Sequence, residues 1–235
     1  MGSQPVNRFD LVVFDVAGTT ILDGDAVLGC LNQALEPYVD VTLDDARGVM
    51  GLPKPVAIRD LLGAFGTWTD GTLDALVDEV HRSFKRAIIE RYRDDDAVVA
   101  APGAERLFEV LRRSGVRVAL DTGFSRDILD PLLRRVGWGQ NGSIDFSVTS
   151  DEVERGRPFP ELVYRAMELA GVTSAARVVK VGDTLSDMRE GLNAGCGLVV
   201  GVTHGTHTRE QLTLPGTVVI DQFAELLPLM GLEAS

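Results

Sequence analysis

Five short runs of β-branched and apolar residues punctuate this chain: LVVFD at 11–15, VRVALDTG at 116–123, VVKVGD at 178–183, GLVVGV at 197–202 and TVVI at 217–220. Each gives way to glycine or a carboxylate and then, in most cases, to a longer stretch with helical spacing. Runs that are apolar throughout suit strands buried on both faces, the condition of a parallel sheet, whose neighbouring strands need crossover connections. The alternation therefore predicts an α/β fold, a Rossmann-like doubly wound parallel sheet. The crossover helices are expected in GAERLFEVLRRSG, SRDILDPLLRRVG, PELVYRAMELAGV and DMREGLNAG, most of which end near a glycine.

Residues 25–99 break this rhythm. AVLGCLNQALEPYV, LDDARGVMGL, PVAIRDLLGAFG and LDALVDEVHRSFKRAIIERYR all carry helical spacing, with no convincing strand among them. The expected organisation is a core of residues 1–24 and 100–235, interrupted after its first strand by an all-helical cap at 25–99. The acidic run at 94–96 suits the returning linker and equally a solvated helix end.

The chain has 235 residues, 45% of them hydrophobic, and no apolar run approaches the roughly 20 residues of a membrane span. A formal charge of −12 opposes general affinity for nucleic acid or anionic membranes. An anionic substrate would need a local positive site. The opening MGSQPVNRFD lacks the basic and apolar segments of a secretory signal. Two cysteines, Cys30 and Cys196, are too few for a disulfide framework, and the expected setting is the reduced cytoplasm.

In open α/β sheets, ligands bind beyond the carboxyl ends of the strands. Several polar residues fall there: Asp15, Thr122, Arg157 in GRPFP, and Asp183 with Asp187 in VGDTLSD. Taken singly, an aspartate after a strand is more often a turn former or helix cap. Taken together, converging carboxylates would raise one another's pKa, and a divalent cation removes that penalty; oxygen ligands favour Mg²⁺. An aspartate beside Mg²⁺, with an arginine and a hydroxyl to hold phosphoryl oxygens, suits phosphoryl transfer to a carboxylate nucleophile.

DVAGTT, LDTGFS, GRPFP and VGDTLSD, in that order, resemble the four motifs of the haloacid dehalogenase superfamily. The resemblance implies that Asp15 is the nucleophile, that Thr122 binds the phosphoryl group and that Arg157 stands where most members have lysine. It also implies Mg²⁺ on Asp15, the Ala17 carbonyl and Asp183, with Asp187 in support. The phosphoryl group is then expected among Ala17, Gly18, Thr19, Thr122, Gly123 and Arg157, with Met50 lining the pocket. Most phosphatases of the superfamily have a second aspartate two residues after the nucleophile as acid and base. Ala17 can do neither, so the acid comes from elsewhere or the leaving group needs none.

DxAGT together with the arginine resembles the phosphonatase branch, in which a cap lysine forms an imine with the substrate aldehyde so that carbon departs as an enamine. The corresponding segment here is VMGLPKP, with Lys54 in the lysine's place. Three positions depart from that branch: Ala57 replaces a histidine, Phe124 a tyrosine, and Asp25 a cysteine near the hinge. The expectation is a Mg²⁺-dependent phosphonatase-like hydrolase acting on a small phosphonate, with a phosphatase for a phosphorylated metabolite or a non-catalytic binder as alternatives. Branch members are often homodimers, which suggests the same here. His204 and His207 lie three apart without a third zinc ligand nearby and read as a polar loop over the site, while His81 reads as solvated.

Overall fold

The computed structural model describes residues 7–139 and 142–233, so the first six residues of the opening segment lie outside it. In chain order the elements are β1 (Leu11–Asp15), β2 (Ile21–Leu22), α1 (Ala26–Leu35), α2 (Leu43–Arg47), α3 (Lys54–Phe65), α4 (Asp70–Asp94) and β3 (Val99–Ala100). Then follow α5 (Ala104–Arg113), β4 (Arg117–Thr122), α6 (Arg126–Arg135), β5 (Phe146–Thr149), α7 (Glu161–Ala170) and β6 (Val178–Gly182). The chain finishes with α8 (Leu185–Ala194), β7 (Leu198–Val202), α9 (Arg209–Leu212), β8 (Thr217–Ile220) and α10 (Leu226–Met230).

The main sheet is parallel throughout, in the order β5-β4-β1-β6-β7-β8. The five apolar runs became five of its strands. The sixth, β5, was not anticipated: FSVT is short, half polar and lies at the sheet edge, where one side of the strand needs no apolar cover. Because the chain builds outward from β1 to β5 and then returns to β6, its direction of travel reverses beside β1. That switch point is where a ligand crevice opens at the carboxyl ends.

Strand alternation decides which side chains face which layer. Val12 and Phe14 of β1 enter the larger apolar cluster, where Phe14 meets Phe108 of α5 edge to face at 5.2 Å. Leu11 and Val13 join Ala119, Val178 and the α7 residues Leu162, Val163 and Ala166 on the opposite face. Asp15, Asp121 and Lys180 share that second parity, so three charged side chains continue an apolar face toward α7 and α8. Packing alone would not favour this; the compensation is described below.

The segment between β2 and β3 is helical. α1, α3 and α4 pack on one another through Leu31, Leu35, Ile58, Leu62, Val80, Phe84, Ile88 and Tyr92, and α4 also packs against α6. β2 and β3 pair antiparallel, Ile21 with Ala100 and Leu22 with Val99, so the chain leaves and re-enters the sheet-bearing part side by side. The helical pattern of LDDARGVMGL stops at Arg47. Gly48 ends α2, and Gly51 follows at φ 80°, a conformation costly for other residues. Met50 and the approach to Lys54 thus lie on a turn.

Candidate active site

A cavity of about 300 Å³ opens at the switch point, lined by residues from both parts of the chain, among them Asp15, Ala17, Met50, Lys54, Thr122 and Arg157. Asp15, which ends β1, is 5% exposed. Its carbonyl accepts the Thr20 hydroxyl at 2.9 Å, which folds the AGTT loop back on the strand end. Asp183 follows β6. Its carboxylate accepts the Thr19 hydroxyl at 2.8 Å and the Thr206 N–H at 2.7 Å. Gly18 and Gly205 lie so close to that carboxylate that a Cβ at either would strike it. Two glycines therefore hold backbone against the acid, one from each flanking loop.

Asp187 sits in the first turn of α8, where Thr184 and Asp187 cap the helix reciprocally. The Thr184 hydroxyl donates to Asp187 Oδ2 at 2.5 Å, while Oδ1 faces Arg157 NH1 at 3.0 Å and Lys180 Nζ at 3.2 Å. Oxygens of Asp15, Asp183 and Asp187 approach within 4.8 Å of one another. Burial is the main force raising the Asp15 carboxyl, to about 8; Asp187 and Asp183 add to it and Arg157 opposes it. Asp183 is raised by burial and then by Asp187. Asp187 is held below the usual range because Arg157 and Lys180 outweigh its burial.

Arg157 is the hub of the charged layer. It donates to Asp15 Oδ1 from NH1 at 2.5 Å, to Glu190 from Nε at 2.9 Å, and from NH2 to both the side chain and the carbonyl of Asp121. Lys180 lies beside it, bonded to Asp121 and 3.0 Å from Glu190. Burial works against both cations, but the surrounding carboxylates win and hold them charged. Asp15, Asp121, Asp183, Asp187 and Glu190 thus stand against two cations. The excess is negative, and one oxygen each of Asp121 and Glu190 has no hydrogen-bond donor.

Lys54 opens α3 and is 4% exposed. Two contacts place it. Gly51 lies against Thr184 with no room for a side chain, and a Cβ on Gly123 would stand 2.8 Å from the Leu52 carbonyl, so the MGLPK turn rests on bare backbone of the 122–123 loop. Nζ then lies 5.6 Å from the centre of the Phe124 ring. Burial depresses the amine to about 8, with Asp15 pulling it up and Arg157 pushing it down. A helix N-terminus is also a poor place for a cation. The outcome is an amine with an appreciable neutral fraction at physiological pH.

The structure brings Asp15, Ala17, Gly18, Met50, Lys54, Thr122, Gly123 and Arg157 to one cavity. Thr19, Asp183 and Asp187 lie directly behind it, as the bonds and contacts above show. The histidines do not form a metal site. His204 Nε2 contacts the Thr19 carbonyl at 2.8 Å, and His207 Nδ1 accepts the Leu185 N–H at 3.0 Å from a buried position. His81 is half-buried rather than solvated, and burial lowers its pKa. Cys30 and Cys196 are free. Sequence reasoning passed over Asp121, Lys180, Glu190 and Asp23. The signal for the first two was present: a charged residue inside an otherwise apolar strand needs a partner.

The haloacid dehalogenase-like hydrolase model matches residues 9–195, most of the chain, and with them the loops that carry Asp15, Thr122, Arg157 and Asp183. The chain belongs to the haloacid dehalogenase-like hydrolase family. Among its relatives, phosphonoacetaldehyde hydrolase of Bacillus thuringiensis is 33% identical over 220 residues, covering 83% of this chain and 77% of that protein. A bifunctional phosphonoacetaldehyde hydrolase/aminoethylphosphonate transaminase of Clostridioides difficile is 34% identical over 202 residues, 80% of this chain; the match spans only 30% of that longer protein. A phosphonoacetaldehyde hydrolase-like protein from Oleispira antarctica superposes with a TM-score of 0.81 at 25% identity, over 98% of this chain and 95% of that one. This hydrolase is therefore phosphonatase-like or a phosphatase. Among the described residues no helix is long and apolar enough to cross a membrane.

Proposed function

We propose that this hydrolase cleaves the carbon to phosphorus bond of a small phosphonate with a carbonyl beside that bond, phosphonoacetaldehyde-like, using Asp15 as nucleophile and Lys54 as amine. The observation that carries the reading is Lys54 itself. A lysine buried in the same cavity as the nucleophile, its pKa brought to about 8, is an expensive way to bind an anion and a suitable way to attack a carbonyl. The relatives named for phosphonoacetaldehyde hydrolysis support the same choice.

The donor set fits Mg²⁺. Asp15, Asp183 and Asp187 offer only oxygens, these lie within 4.8 Å of one another, and the buried layer has more acids than cations. Asp15, Asp183 and the Ala17 carbonyl would hold the ion, with Asp187 behind them. When bound it offsets charge on the phosphoryl oxygens and on the cluster.

The chain's own residues divide the remaining work. Lys54 condenses with the substrate carbonyl, and the resulting iminium accepts the electron pair of the breaking bond. Asp15 takes the phosphoryl group, Arg157 fixes the attacking carboxylate, and the Thr122 hydroxyl and the 17–19 loop hold phosphoryl oxygens. Water then hydrolyses the aspartyl phosphate. A cavity of about 300 Å³ suits a substrate of few carbons.

A screen of phosphonates and phosphomonoesters, with and without Mg²⁺, tests this, followed by borohydride trapping in the presence of any substrate found. The expected result is turnover of a carbonyl phosphonate and a reduced adduct on Lys54. Phosphate release from esters that survives Lys54→Met, with no adduct, would establish the phosphatase reading instead. That second reading has its own observation: Ala57 and Phe124 stand where the phosphonatase branch has histidine and tyrosine.

A further inference from the structure

An amine that forms an imine needs an acid within reach. Loss of water from the carbinolamine needs its hydroxyl protonated, and the positions that resemblance would assign to this task hold Ala57 and Phe124. Neither can transfer a proton. The cavity nevertheless contains a carboxyl that the phosphoryl site does not use. Asp23, just after β2, is buried, lines the same cavity as Lys54 and Asp15, and accepts the Tyr92 hydroxyl at 3.0 Å. Tyr92 in turn meets Phe124 edge to face at 6.0 Å, and Phe124 carries the Lys54 ammonium over its ring. Asp23, Phe124 and Lys54 thus line one cavity, with Tyr92 buried behind Asp23 and Phe124.

We propose that Asp23 is the acid and base of the imine steps, oriented by Tyr92. The proposal rests on the amine reading given above. In the forward direction the Lys54 nitrogen adds to the carbonyl carbon, and one amine proton moves to the carbonyl oxygen. The carbinolamine hydroxyl then leaves as water with the Asp23 carboxyl proton, while the nitrogen lone pair closes the carbon to nitrogen double bond. The carboxylate formed offsets the new iminium charge in the same cavity. After the phosphoryl group has passed to Asp15, the enamine carbon takes a proton from solvent. Water adds to the iminium and gives its proton to Asp23; the aldehyde and the free amine separate, and Asp23 is again the acid.

Among the described residues, Tyr92 on α4, Cys30 on α1, Lys54 on α3 and Asp183 act on or are acted on by Asp23, and Asp15, Asp25, Arg47, Arg157 and His204 line the same cavity. Burial raises the Asp23 carboxyl, and the Tyr92 hydroxyl lowers it. Only part of this set depends on the phosphoryl site, so the idea can be tested without phosphorus or metal.

The experiment is reductive trapping of Lys54 by acetaldehyde and cyanoborohydride in the metal-free protein. The adduct rate is read by peptide mass across pH, beside the rate of Lys54 acylation by an activated ester, which needs no acid. Asp23→Asn is expected to slow trapping at least tenfold while acylation is equal or faster, because a nearby negative charge that favours the ammonium has gone. Tyr92→Phe keeps the carboxyl and is expected to move the upper limb of the trapping profile to higher pH, which also serves if Asp23→Asn does not fold. Equal trapping in wild type and Asp23→Asn, or in the absence of that variant an unmoved profile in Tyr92→Phe, overturns the role of Asp23 and leaves the amine reading intact. No adduct on Lys54 in wild type overturns the amine reading, and this proposal with it.

Discussion

Replacing Lys54 with methionine should end imine chemistry and stabilise the protein at the same time. The amine falls from its ordinary 10.5 to about 8, chiefly through burial. At about 1.4 kcal/mol per pH unit this corresponds to about 3 kcal/mol by which the folded state disfavours the charged form. Methionine has a similar reach and no charge. It forfeits the ammonium on the Phe124 face, about 0.5–1 kcal/mol, so the net gain at pH 7 is about 2 kcal/mol. The gain has a definite pH dependence. Below pH 8 lysine is charged in both states and carries the full cost. Between pH 8 and 10.5 the unfolded chain binds a proton that the native one does not, so wild-type stability climbs; above 10.5 the cost is gone. Urea unfolding of both proteins at pH 7 and pH 9.5, with chelator present, measures this. Methionine should lead at pH 7 by about 2 kcal/mol and by clearly less at pH 9.5. A variant less stable than wild type, or a gap indifferent to pH, would show that the lysine is not strained by burial and would remove the main argument for its chemistry.

Asp15→Asn should abolish turnover, by at least about a thousandfold in phosphate release, because the attacking oxygen becomes an amide. Mg²⁺ should raise the melting temperature of wild type and do so far less in Asp183→Asn, as expected of an ion held by the native state only; an equal rise in both would place the ion elsewhere. Lys180→Met should cost about 3–5 kcal/mol in urea unfolding, since it leaves Asp121 and Glu190 buried with Arg157 as their sole cation. Gly205→Ala should cost about 1–3 kcal/mol and weaken Mg²⁺ binding seen by calorimetry, because its methyl would displace the Asp183 carboxylate and meets the Gly18 carbonyl behind it.

The fold was legible because most of its elements announce themselves locally. An apolar run that ends on a carboxylate needs two covered faces, and a run of helical spacing between two such strands supplies one of the covers. The order of the motifs that carry Asp15, Thr122, Arg157 and Asp183 along the chain also identified the family without coordinates. Local pattern gave less where it was weak, as in β5, and where it overran, as in α2.

What pattern could not supply is partnership between distant residues. Asp121, Lys180 and Glu190 read as three unrelated charges until parallel registry of β1, β4 and β6 sets Asp121 and Lys180 on one face, where Glu190 of α8 meets them and each becomes tolerable only because the others are there. Asp23 and Tyr92 are 69 positions apart and meet through one hydrogen bond. Lys54 is one of three lysines by sequence, and its lowered pKa arises from what surrounds it in three dimensions. Residue type and spacing determined which chemistry was available here; desolvation and charge pairing, which act through space, decided which side chains can perform it.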